Sequence, residues 1–126
     1  MAIGAIFIDS PHQVLTRTPD GKDLAFLTGT AGFEFKGTGS TWRREFGMIQ
    51  TPWPLWRAVF SAAPTASLAS IANDREAVWE GYAADNVNYF VFNDRIWLQV
   101  GLAVRDSDGR LYRVSYQVTV LGYLLG

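Results

Sequence analysis

The C-terminal part of the chain alternates apolar and other positions with a period of two. From Ile96 to Val104 every second residue (Ile96, Leu98, Val100, Leu102, Val104) is a branched aliphatic, and from Tyr112 to Val120 the alternates Tyr112, Val114, Tyr116, Val118 and Val120 are all apolar. Successive side chains of a strand point to opposite faces, so the pattern predicts two long strands, each with one face in a core. Asp106-Ser107-Asp108-Gly109-Arg110 lies between them. A three-residue loop over Ser107, Asp108 and Gly109, with glycine in the left-handed position, places Val104 opposite Tyr112, Leu102 opposite Val114 and Val100 opposite Tyr116. The two apolar faces coincide in that register. An Asn93-Asp94 turn extends the pairing upstream, with Val91 opposite Ile96, Tyr89 opposite Leu98, and Phe90 facing Trp97 on the other surface. The expectation is a C-terminal three-strand meander over Val87–Phe92, Arg95–Arg105 and Arg110–Leu121.

Turn signals recur at short spacing through the first half, as in all-β domains. Ile3–Ile8 reads as a strand ended by Asp9-Ser10-Pro11, because proline cannot donate to a ladder and steers its predecessor away from helix. Gln13–Thr18 is a second extended piece, and Pro19-Asp20-Gly21 a turn, with proline pre-setting φ and glycine accepting positive φ. Leu24–Thr28 and Phe33–Lys36 read as short strands, with Gly29, Gly32, Gly37 and Gly39 marking bends. Trp42–Ile49 is strand-like, with Trp42, Arg44 and Phe46 on one face and Arg43, Glu45 and Gly47 on the other.

The middle is ambiguous by pattern. Pro54–Phe60 fits either a helix with proline in its first turn or another strand. The alanine-rich stretch Thr65–Ala84 predicts one or two short helices, with Asn73 or Asp74 capping Arg75–Ala84, while Trp79, Gly81 and Tyr82 keep a strand reading open. The whole chain, 1–126, reads as a single mainly β domain: an antiparallel β-sandwich or small β-barrel with short helices in the middle.

Composition narrows the classes. With 48% hydrophobic and 18% charged residues, the chain is too apolar to be disordered. So few charges on a small domain leave apolar surface for a partner or ligand. Lys+Arg number 11 against 12 Asp+Glu, giving a net charge of −1, and the basic residues are scattered apart from Arg43-Arg44. That is no footprint for nucleic acid or an anionic membrane. The lack of cysteine excludes disulfides, thiolate zinc sites and cysteine nucleophiles. Met1–Ile8 lacks the basic start and the length of a secretory signal, and no apolar run approaches the roughly 20 residues of a membrane helix, so cytoplasmic synthesis without membrane insertion is expected.

Candidate chemistry is sparse. His12, the only histidine, lies near Asp9 and Ser10, but neighbours astride a proline seldom converge as a triad, and a turn is the simpler role. Asp106-Ser107-Asp108-Gly109 resembles the start of a calcium loop, yet Arg110 stands at the third acidic position and no bidentate glutamate follows. Gly37-Thr38-Gly39-Ser40-Thr41 lacks the lysine of a phosphate loop. Among Glu76, Glu80, Asp85 and Asp94 no spacing singles out an acid/base pair.

No catalytic, metal or cofactor residue is therefore expected, and the candidates for partner or ligand contact are aromatic. They are Trp53 between two prolines, Trp56, Trp42 with Arg44, and Phe90, Phe92 and Trp97 on the second face of the meander. The expected function is a non-enzymatic structural protein that assembles with itself or with other subunits, as in a virion, shell or tube. Two alternatives stand beside it: a lectin-like carbohydrate-binding module, and a β-barrel binding or cyclising a lipophilic small molecule.

Overall fold

The computed structural model describes residues 2–35, 40–71, 78–79, 87–104 and 111–125, and these contain nine strands and no helix. The strands are β1 (Ala2–Gly4), β2 (Phe7–Arg17), β3 (Asp23–Phe33), β4 (Arg43–Gln50), β5 (Trp56–Ile71), β6 (Val78–Trp79), β7 (Val87–Phe92), β8 (Arg95–Val104) and β9 (Tyr112–Leu124). A front sheet runs β1-β4-β8, with β6 and β7 both paired to β8, and a back sheet runs β2-β3-β9-β5. All pairs are antiparallel except β1 with β4. The two ladders are separate, so of the two architectures expected the sandwich is the one adopted. No helix among the described residues is long and apolar enough to cross a membrane.

Period-two alternation supplies the core. Ile49, Ile96, Leu98, Val100, Leu102 and Val104 of the front sheet meet Leu27, Phe33, Tyr112, Val114, Tyr116, Val118 and Val120 of the back sheet, all buried. Burying each such side chain contributes roughly 1.5–3 kcal/mol. β8 and β9 sit inside their sheets, each with a strand on either side.

The β7–β8 hairpin has the expected register, Val91 to Ile96, Phe90 to Trp97 and Tyr89 to Leu98. Its turn residues Asn93 and Asp94 take φ of 51° and 61°, the left-handed pair that a two-residue hairpin needs. The third strand of the expected meander corrects that reading, because β9 pairs with β3 and β5 rather than with β8. Leu102 and Val114 lie in opposite sheets and both point into the shared core. The alternation specifies which face of a strand is apolar, and not which edge it pairs on. Sheets about 10 Å apart are easily spanned by the chain between Val104 and Tyr112, and a sandwich covers both apolar faces at once. The Ser107–Gly109 loop lies outside the described residues.

The helices expected in the middle are also corrected. Trp56–Ile71 is one strand along β9, with register shifts between Trp56 and Ala58, Val59 and Ser61, and Leu68 and Ser70. Ala62, Ala66 and Leu68 turn toward the core, so pairing and packing override the poor β propensity of alanine. Pro64 is tolerated because β5 is an edge strand. Of the expected helix Arg75–Ala84 only Val78–Trp79 is described, as strand β6.

Ile3–Ile8 is divided between the layers. The Ala5 N–H donates to the Met48 carbonyl in the front sheet at 2.9 Å, and the next residue, Ile6, donates to Gly32 in the back sheet at 2.8 Å. Asp9-Ser10-Pro11 does not end a strand. It forms a bulge, with Ser10 at φ 48° and β2 continuing to Arg17. Gly29 and Gly32 likewise lie inside β3 rather than at bends. A Cβ on Gly29 would stand 2.5 Å from the Tyr116 hydroxyl oxygen, and one on Gly32 2.3 Å from the Phe7 ring, so these positions make room for aromatic rings.

Burial pushes the Tyr116 hydroxyl up to about 12. An unfolded tyrosine ionises near 10, so as pH rises the unfolded chain loses its proton first. The stability Tyr116 contributes is whole below pH ~10 and is lost between about 10 and 12, a change on the order of 3 kcal/mol. Urea titrations across this range should give a falling stability that Tyr116→Phe flattens. An equal slope in the variant would assign the change to another group.

Candidate interaction face

The outward faces of the two sheets differ in chemistry. On the back sheet the exposed side carries Thr28, Thr30, Ser115, Gln117, Thr119, Thr65 and Ser67 across β3, β9 and β5, by the observed registers. These are hydrogen-bonding side chains suited to water. The same face also carries exposed Val14 and Phe26, opposite one another, Phe7 under the Arg113 guanidinium at 4.9 Å, and, near Lys22, Phe60 edge-on to Tyr123 at 5.2 Å with the Arg57 guanidinium over the Tyr123 ring at 4.8 Å.

The front sheet presents an aromatic cluster of its own. Alternation places Arg44, Phe46, Met48 and Gln50 of β4, Trp97 and Gln99 of β8, and Asn88, Phe90 and Phe92 of β7 on one outward face. Phe90 and Trp97 are opposite one another in the ladder, and their rings stack at 5.8 Å with 14° between planes. Phe92, at the end of β7, is 58% exposed. The Arg44 guanidinium lies over the Phe46 ring at 5.2 Å, a cation–π contact on the rim of this surface.

Beside Trp97 the face dips into an open groove of about 540 Å³ lined by Gly4, Ala5, Met48, Gln50, Pro52, Arg95 and Trp97, and by Phe7 and Ile8 of β2. The groove exists where the chain leaves the front sheet for the back one. Arg95 is held at its edge by donating to the Pro52 carbonyl. The Trp97 indole N–H has no acceptor among the described residues.

Of the contact candidates, Phe90, Phe92, Trp97 and Arg44 are brought onto this single face. Trp53 and Trp42 are exposed, but Trp53 lies in the Thr51–Leu55 connection and Trp42 precedes β4. Trp56 is corrected: it is 1% exposed and belongs to the core. Its backbone N–H donates to the Asp94 carbonyl at 2.7 Å, and the Thr51 hydroxyl donates to the Ile96 carbonyl at 2.7 Å. The connection is thus sewn to the β7–β8 turn, which carries the Trp56 ring inward.

Sequence reasoning missed Met48, Gln50 and Arg95. The first two share the parity of Phe46, which is a readable signal, but their closeness to Trp97 follows only from the β4–β8 register.

Among the described residues, the polar side chains that resemble catalytic sets are not gathered. Asp9 accepts from Arg113 at 2.8 Å, and His12 is exposed beyond the bulge. Among the described residues no group of three or more His, Asp or Glu side chains stands at metal-binding distance. Asp106–Arg110, Gly37–Gly39, Glu76, Glu80 and Asp85 lie outside the described residues. Neither a family model, nor a curated protein, nor a solved structure matches this chain.

Proposed function

We propose that this chain is a non-enzymatic structural subunit that associates with further copies of itself, as a component of a virion, shell or tube, through the outer face of the front sheet. The observation that carries the reading is the aromatic cluster on that face, where Phe90 stacks on Trp97 at 5.8 Å beside the exposed Phe92. Phe46 and Met48 of β4 adjoin it by the β4–β8 register. Contiguous exposed apolar surface of that kind is uncommon on a protein that stays monomeric, and aromatic anchors dominate the energetics of protein contacts. A net charge of −1 adds little repulsion between copies.

Light scattering at micromolar concentration is expected to give a mass above that of one chain. Phe92→Lys, at a highly exposed position, should weaken association at least about tenfold, because burying a phenyl ring contributes roughly 1.5–3 kcal/mol and 1.4 kcal/mol is a factor of ten. Its melting temperature should stay close to that of the parent. A monodisperse monomer for the parent chain would overturn the proposal.

The groove supports a second reading, carbohydrate binding. Trp97 offers a flat ring and Gln50 and Arg95 offer planar polar groups beside it, the combination that suits a sugar's apolar face and its hydroxyls. A glycan panel that leaves tryptophan fluorescence unchanged at millimolar concentration would remove it.

A further inference from the structure

The two open edges of the back sheet are finished differently. β5 carries Pro64 and three register shifts, and it packs beside β7. Prolines and bulges stop an edge from accepting another strand. β2 has one shift, between Asp9 and His12, and from there runs regularly from His12 opposite Thr28 to Arg17 opposite Asp23. This stretch has neither proline nor lysine, and no strand lies on its outer edge among the described residues. It is bare on both faces as well, with Val14 64% and Leu15 43% exposed.

The hydrogen-bond phase of that edge follows from the hairpin. The Thr18 N–H donates to the Lys22 carbonyl at 2.8 Å, so Thr18 faces β3, and so do Thr16, Val14 and His12 by alternation. Gln13, Leu15 and Arg17 therefore direct their N–H and C=O groups outward.

We propose that β2 pairs antiparallel with β2 of a second copy about a two-fold axis through Leu15, joining two back sheets into one. The stretch matches itself in that register. Leu15 meets its own counterpart, Gln13 stands opposite the second copy's Arg17, and Val14 opposite the second copy's Thr16. Aliphatic lies on aliphatic and branched on branched, and no like charges oppose each other. Arg17 is already paired with Asp23 at 3.5 Å. The prolines agree with the same centre, since Pro11 and Pro19 are equally distant from Leu15, fall opposite one another, and end the new ladder on both sides. A two-fold axis of this kind makes the contact self-complementary and closed. The proposal rests on the reading that copies associate, and adds to the front-sheet face a second contact at the edge of the back sheet.

The chain has no cysteine, which makes a direct test available. Directly opposite residues of an antiparallel pair have Cα atoms about 4.5–5.5 Å apart, within disulfide reach. Leu15→Cys is expected to oxidise to a covalent dimer at least about tenfold faster than Gln13→Cys, whose counterpart lies across from Arg17 instead, since pairing raises the effective concentration of one thiol at the other. In the unsubstituted protein the Leu15 amide should exchange hydrogen as slowly as that of Val14. Equal cross-linking rates, or a fast-exchanging Leu15 amide in a chain that associates by light scattering, would overturn the edge pairing and leave the assembly reading standing. A monomer would overturn both. Amide exchange decides the matter if a cysteine variant fails to fold.

Discussion

Replacing Phe33 with alanine is expected to lower the unfolding free energy by about 3–5 kcal/mol, a large part of the 5–15 kcal/mol that holds an ordinary domain together. Phe33 is fully buried at the end of β3. Its ring stacks on Phe35 at 6.2 Å, and Phe35 in turn packs against Tyr112 at 5.6 Å. The same ring reaches across to the front sheet, where a Cβ on Gly47 would stand 2.5 Å from it. Gly47→Ala alone should therefore cost about 1–3 kcal/mol by overpacking. In the Phe33→Ala background the added methyl enters vacated space, and its cost should disappear or change sign. Guanidinium unfolding of the two single variants and the double variant gives the coupling. Additive costs would mean that ring and glycine do not share this space.

Gly122→Ala should destabilise by about 2–4 kcal/mol through the backbone rather than through packing. A Cβ at Gly122 would lie 2.1 Å from the carbonyl oxygen of Ala58, and no rotamer change can relieve a clash with main chain. β5 must move away from β9 at this end, where its register shifts on both sides of Ala58–Val59. Trp56 pairs with Leu124 in the same place, so the indole should become hydrated and tryptophan emission should shift to the red. Gly4→Ala is the control: nothing lies within 4 Å of a Cβ there, and its effect should stay within about 0.5 kcal/mol. Equal stability of the two variants would refute the account.

Features whose information is local were legible in the sequence. The β7–β8 hairpin follows from two turn residues and an alternation, and with it came the Phe90–Trp97 pair that centres the candidate face. The faces of β4 were also readable, because parity alone assigns Arg44 and Phe46 to one side. Edge partners were not, since a period of two is satisfied equally by a β8–β9 hairpin and by two facing sheets. The alanine-rich run Thr65–Ile71 misled because its extended form is imposed by β9 and not by its own residues. Gly29 and Gly32 read as bends because a glycine that yields to a neighbouring ring looks the same, in sequence, as one that turns the chain. Trp53 and Trp56 both stand near Pro54, and their sequence does not tell that it is Trp56, bonded through its amide to Asp94, whose ring goes inside. The groove is not legible because it is assembled from three separate stretches of the chain, 4–8, 48–52 and 95–97.

The central place of β9 has a kinetic consequence. Asp23 pairs with Gly122 and Val59 with the same residue, so both ladders inward of the back sheet's edges close over long stretches of chain. Such closure loses entropy before any burial rewards it, and topologies of this kind fold in milliseconds to seconds rather than microseconds. During synthesis β3 and β5 leave the ribosome with no template between them. The back sheet must wait for the last strand to emerge before it can form.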